Sequence, residues 1–247
     1  MIRPLLTALR VLTIIPVPGK DTDDFSNCLP YFPLVGFLLG AIVYGLFKGF
    51  MAISSFEPSI VILIILLIET VLTGGLHIDG LGDISDGFGS GKTGDAINTI
   101  MKDPRMGTFG VCAVVFDIII KAVCWYLLFK NELYSIIIFS LVFSRNMQIL
   151  YILFMPGSQK SSLLEYFKNA SLMIKLSSLI TVLVSTFFCG YMIGILQTGI
   201  IVLASICSGV IFGLICLRKI NGITGDCVGA VNEIIEIVVL ITGIAVF

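Results

Sequence analysis

Apolar positions in this chain do not alternate; they gather into long runs, and polar positions collect between the runs. Seven runs come close to the ~20 residues that a helix needs to cross a bilayer. They are Pro33–Ile53, Ser59–Ile78, Gly107–Phe129, Leu133–Met155, Leu172–Leu196, Thr198–Leu217 and Gly229–Phe247. Ahead of them, Leu5, Leu6, Leu9, Leu12 and Thr13 recur at helical spacing, with Arg3 and Arg10 off that stripe and Pro16 and Pro18 behind it. This pattern predicts a short amphipathic helix at the membrane interface, stopped by the prolines. Arg10 interrupts any signal-peptide core, and no small-residue cleavage site follows Ile15. No fixed-period repeat, low-complexity tract or linker divides the chain. Residues 1–247 therefore read as one domain, an all-α polytopic integral membrane protein with about seven transmembrane helices.

Composition agrees. Hydrophobic residues make up 57% and charged residues 13%, with a mean hydropathy of +1.08, against about 25% charged in soluble proteins. A net charge of −1 points away from nucleic acid and from a polybasic membrane clamp, leaving the bilayer itself as the surrounding partner. The seven cysteines form no C-x-x-C pair and most lie in apolar runs, as small packing residues would. With His77 the only histidine, zinc is not expected. Lysine and arginine set the orientation. Arg3, Arg10, Lys20, Lys92, Lys102, Arg105, Lys160, Lys168, Lys175, Arg218 and Lys219 all fall on one side of the bundle, against Lys48 and Lys130 on the other. The richer side should be cytoplasmic, carrying the N-terminus, with the C-terminus outside a cytoplasmic (inner) membrane.

One stretch breaks the pattern of apolar runs and bland connections. Between residues 74 and 91, Asp79, Asp83 and Asp86 are spaced four and then three apart. On a helix these carboxylates lie within roughly 60° of one another and repel. A divalent cation reverses the sign of that cost, and Mg²⁺ is commonly held by one or two carboxylates with substrate phosphates. Glycines at 74, 75, 80, 82, 87, 89 and 91 would let a bulky anion approach the backbone. The plain alternative is a solvated acidic loop. The topology places Asp103, Arg105 and the loop at 221–230, including Asp226, at the same cytoplasmic end.

Charges also lie deep in the spans. Lys121 has Asp117 one turn before it, a pair that could simply neutralise itself, whereas Arg145 has no such local partner. Glu233 and Glu236 face one way, three residues apart, and Glu69 could only cap a polar seam. The expectation is a cavity open to the cytoplasm, acidic at its mouth and basic within. The string GFGSGKTG is a decoy: a phosphate-binding loop needs glycine at the position of Asp86, and no strand precedes it.

The segments LTIIPVP (12–18), FPLVGFLLG (32–40), TGGLHIDGLGDISDGFGSG (73–91), IMKDPRMGTFG (100–110) and NGITGDCVGAVNEIIE (221–236) resemble those of the cobalamin synthase family. Its members are also called adenosylcobinamide-GDP ribazoletransferases. The matches run through nearly the whole chain in order, and Lys121 and Arg145 stand where the family carries those residue types. Gly82, Ile84-Ser85 and Pro104 depart from the commoner residues, Pro104 in the turn presenting Asp103 and Arg105.

The resemblance implies a transferase of cobalamin biosynthesis. It would join α-ribazole or its 5′-phosphate to adenosylcobinamide-GDP, releasing GMP and requiring Mg²⁺. A ribose hydroxyl would attack the corrinoid-bound phosphorus, with charge neutralisation dominating. Asp79, Asp83 and Asp86 are the metal candidates. Asp86, Glu233 and Arg105 are the catalytic ones, Asp86 or Glu233 taking the hydroxyl proton. Lys121, Arg145, His77, Asp103, Asp226 and Glu236 are the substrate-binding ones. The rivals are a Mg²⁺-dependent CDP-alcohol phosphotransferase or prenyltransferase and, more distantly, an ion-coupled transporter. The first lacks its D-G-x-x-A-R opening here, and no inverted repeat supports the last. A homo-oligomer is compatible with the sequence, which does not set the number of copies.

Overall fold

In hydrocarbon a helix alone satisfies every backbone N–H and C=O within its own segment, so long apolar runs become helices. A computed structural model describes residues 2–53, 55–158, 167 and 170–247. Lys160 and Lys168, counted above for orientation, lie outside these. The described helices are α1 (Ile2–Leu12), α2 (Phe32–Ile53), α3 (Pro58–Leu72), α4 (Leu76–Gly89), α5 (Asp95–Met101), α6 (Thr108–Lys130), α7 (Tyr134–Phe154), α8 (Leu172–Ile193), α9 (Ile195–Ile220) and α10 (Gly225–Val246). A 3-10 helix over Phe25–Tyr31 leads into α2. Among the described residues the only β pairing is an isolated bridge between Gly157 and Ile223.

Six helices, α2 and α6 to α10, are long and apolar enough to cross a membrane; α3 and α4 together make a seventh, bent by 87°. The expected second span, Ser59–Ile78, is therefore not straight. Its helix ends at Leu72, and the chain turns through Gly74 (φ +65°) and Gly75 (φ +66°), a left-handed pair that L side chains rarely adopt. The turn exposes the Leu72 carbonyl, which accepts a 2.8 Å hydrogen bond from Ile14 N–H just beyond α1. The fifth and sixth spans meet at Gly194 (φ +106°), three residues before the predicted break, and the last helix starts at Gly225 rather than Gly229.

The bundle has a central pair. Helices α7 and α10 are mostly buried, whereas α8 is largely exposed and left to face lipid. Helix α2 lies close along α7: a Cβ on Gly40 would stand 2.8 Å from Ile138 Cα. Helix α4 fits against α10 in the same way, since a Cβ on Gly80 would be 2.8 Å from the Asp226 carbonyl oxygen. Helix α1 buries Thr7, Ala8 and Leu12 against the protein. Its Arg10 is held by Val17 O, Gly19 O and Asp21 Oδ1, tying the helix to the loop after it.

The basic segments share one end. Gly94 N–H donates to Lys219 O (3.0 Å), Lys219 Nζ donates to Phe88 O (3.3 Å), and Ser158 N–H donates to Ile223 O (2.9 Å). At the opposite end Lys48 Nζ lies 4.6 Å from the Tyr134 ring centroid, beside the stacked Phe47 and Phe129.

Candidate functional site

Helix α4 runs between α6 and α10 and carries the three aspartates from the bundle interior toward the basic end. Asp79 is exposed, and Asp83 and Asp86 are half-buried. Asp226, in the first turn of α10, is half-buried beside Gly80; it and both flanking aspartates act electrostatically on Asp83. Among the described residues no protein donor reaches the Asp79 or Asp83 carboxylate.

Asp86 is engaged differently. Its Oδ2 accepts from Gly107 N–H (2.6 Å) and its Oδ1 from Gly110 N–H (2.8 Å), so it caps the start of α6 from the neighbouring helix. The glycines make this approach sterically available: a Cβ on Gly107 would sit 2.5 Å from Asp86 Oδ1.

Farther in, the deep charges form one network. Lys121 Nζ meets Glu236 Oε2 at 2.9 Å, Asp117 Oδ2 at 3.3 Å and, closest, Glu233 Oε2. Arg145, with no exposed surface, pairs through Nη1 with Glu236 Oε1 and donates to Ser144 Oγ (2.9 Å). Asn232 Nδ2 donates to Glu236 Oε1 (2.8 Å) and Glu233 Oε1 (3.2 Å). His77 Nδ1 stands 4.0 Å from Glu233 Oε1. A cavity of about 160 Å³ borders this network, lined in part by Glu69, Asp117, Lys121 and Glu233.

One sequence expectation changes here: the interior is not basic, since Glu69, Asp117, Glu233 and Glu236 outnumber Lys121 and Arg145. Arg145 has no acid on its own helix, as its sequence surroundings indicate, and finds its ionic partner, Glu236, on another. Glu69, Asn232 and Ser144 belong to the network although local spacing gave no reason to select the last two.

Asp103 and Arg105 form a bidentate pair on the surface, Nε–Oδ1 3.0 Å and Nη2–Oδ2 2.8 Å, with the Arg105 side chain 86% exposed. The guanidinium holds the Asp103 carboxyl down at about 2. The pair lines an open concavity with Asp95, Thr99 and Lys102. It does not touch the aspartate stripe, and Pro104 leaves it intact.

Among the described residues no group of three or more carboxylate, imidazole or thiol side chains is gathered as a ready-made metal site. The donors at Asp79, Asp83 and Asp226 are nevertheless hard oxygens on a partly exposed surface. They suit a Mg²⁺ that keeps waters and takes other oxygens from phosphate, and not a closed protein cage.

The family model described as cobalamin-5-phosphate synthase matches residues 4–244. An adenosylcobinamide-GDP ribazoletransferase of Chlorobaculum tepidum is 35% identical over 242 residues, covering 96% of this chain and 92% of that protein. The same-named protein of Chlorobium chlorochromatii is 35% identical over 245 residues (98% and 96%), and that of Clostridium tetani 36% over 246 residues (97% and 95%). No solved structure matches the chain.

Proposed function

The chain belongs to the cobalamin-5-phosphate synthase family, and from that membership we infer that it is an adenosylcobinamide-GDP ribazoletransferase of cobalamin biosynthesis. The observation that carries this reading is the match to family and relatives over almost the entire chain, which includes every element of the site. The acceptor is α-ribazole or its 5′-phosphate. A ribose hydroxyl oxygen forms a bond to the corrinoid-bound phosphorus, the bond from that phosphorus to the bridging oxygen breaks, and GMP departs. The product is adenosylcobalamin or its 5′-phosphate.

The division of labour follows from which side chains are already engaged. Asp79 and Asp83, free of protein donors among the described residues, would hold Mg²⁺, which supplies charge neutralisation of the diphosphate. Asp86 is occupied in capping α6 and sets the angle at which α4 meets α6. Asp226, which acts electrostatically on Asp83 and has one carboxylate oxygen accepting from Thr224 Oγ1 (3.2 Å), would take the hydroxyl proton on its other oxygen. Glu233 is held by Lys121 and Asn232, so Lys121 and Arg145 serve the reaction by fixing Glu233 and Glu236 beneath His77. Arg105, fixed in orientation by Asp103, offers exposed positive charge to the guanosine-bearing half. The end carrying these groups faces the cytoplasm of a cytoplasmic membrane, where the basic segments belong.

The test is GMP release from the purified protein in detergent with Mg²⁺. Release should require adenosylcobinamide-GDP and α-ribazole together. GMP release that ignores the acceptor, or none at all with either acceptor form, overturns the reading.

A further inference from the structure

A second cavity, of about 200 Å³, lies between α1, α4, α7 and α10 and shares no lining residue with the one beside Lys121. Its walls are mainly apolar, including Leu12, Phe32, Ile152 and Val228. Asp79 and Asp226 also border it, and both are accessible; His77 and Gln148 border it too, and each is only 2% exposed. Two atoms in this lining, His77 Nε2 and Gln148 Oε1, are buried with no hydrogen-bond partner among the described residues. Burying such groups unsatisfied is costly, so an apolar cavity carrying both is built for something polar at one or two points.

Resting on the function proposed above, we propose that this cavity is the seat of the acceptor's aromatic base. The ring nitrogen that the glycosidic bond leaves free would accept a hydrogen bond from His77 in its Nε2–H tautomer, and a sugar hydroxyl would donate to Gln148 Oε1. The volume suits a bicyclic ring and excludes the corrin macrocycle; whole drug-sized ligands need about 300 Å³ or more. The chemistry of the wall chooses between the two bicyclic bases in the reaction. Guanine presents donors and acceptors along most of its edge; Asp79 and Asp226 could take its N–H donors, but both are assigned above to the cation and the hydroxyl proton, which leaves that edge unpaired. A benzimidazole has one free ring nitrogen and is otherwise apolar. An acyl chain fits the walls but satisfies neither polar atom. The seat also puts the attached ribose next to Asp79 and Asp226, where the attacking hydroxyl is needed. Close contact of α10 with α4 makes this adjacency: a Cβ on Gly229 would lie 3.3 Å from His77 Cα.

Two variants of the full-length protein test the assignment, each checked by gel filtration and thermal unfolding. Ile152→Trp fills the cavity with an indole. It should raise the KM for α-ribazole about tenfold or more while leaving that for adenosylcobinamide-GDP within about twofold. His77→Phe keeps the ring and removes the donor. It should raise the KM for α-ribazole about tenfold without further weakening an analogue whose free ring nitrogen is replaced by carbon. The conservative His77→Gln, which retains an N–H, should recover part of the loss. Folded variants with unchanged KM for α-ribazole overturn the proposal, as does a rise confined to adenosylcobinamide-GDP. A wild-type protein that makes GMP normally beside such silent variants rejects the cavity alone. A wild-type protein that makes no GMP rejects the activity, and the cavity's occupant with it.

Discussion

Arg145 is the residue at which sequence and structure part most instructively. Its own helix offers it Ser144 and no acid within a turn, so the sequence sees a lone cation at depth. Its partner, Glu236, is 91 positions away and reaches it only because α7 and α10 are packed together. No spacing rule encodes that meeting. Arg145→Met should therefore leave a buried carboxylate with Lys121 as its remaining cation and destabilise the ligand-free protein by roughly 3–5 kcal/mol, as breaking buried ion pairs does. Thermal unfolding in detergent reads this directly, and an undiminished melting temperature would show the pair to be dispensable. Asp83 makes the opposite demand. It is half-buried among like charges with no protein donor, so Asp83→Asn should fold at least as well as the wild type. Its turnover should fall roughly a hundredfold or more if a cation is held there. Near wild-type turnover at saturating Mg²⁺ would remove Asp83 from that role.

The carboxylate stripe of α4 was legible, because offsets of four and three define one helix face, but the apolar run ended at Ile78 and left a solvated loop as the alternative to a helix over Leu76–Gly89. The neighbours of α4 were not legible. The bend into it was written in Thr73-Gly74-Gly75, but those residues sit at the end of an apolar run that reads straight through them. The capping role of Asp86 was hidden for a different reason: its donors, Gly107 and Gly110, begin another helix. That junction makes a comparative prediction. Gly110→Ala would drive a methyl into Asp86 Oδ2 and to 2.9 Å from the Gly82 carbonyl oxygen, and should lower stability by about 1–3 kcal/mol. Gly45→Ala, in mid-α2 with nothing within 4 Å, should be neutral or stabilising by roughly 0.5–1 kcal/mol. Equal melting temperatures for the two would contradict the tight α4–α6 junction.

For the molecule as a whole, hydropathy and charge counting were informative because the bilayer acts on each span separately. The all-α class and the number of spans emerge from that alone. The sharing of one end by the basic connections is then visible in the bonds linking residues 88–94, 219 and 223. Which face of the membrane this end occupies is open to measurement. A reporter fused after Phe247 should be found outside, and Lys92→Cys, at an exposed position, should react with an impermeant thiol reagent only from the cytoplasm. The reverse labelling pattern would invert the orientation proposed for the site.

The buried charge network has a further consequence, for the order in which the chain is made. Charged residues at a helix centre oppose insertion by about 2.5–3.5 kcal/mol apiece on the biological scale. Helix α6 softens this by carrying Asp117 and Lys121 one turn apart, but α10 brings Glu233 and Glu236 with no cation of its own. Because α10 is synthesised after α6 and α7, Lys121 and Arg145 are already in the bilayer when it leaves the ribosome. The translocon thus hands it to waiting counter-charges, and entry of α10 becomes conditional on correct assembly of the earlier helices. A chain damaged upstream would fail to seat its C-terminal helix and would present an unanchored tail to quality-control proteases.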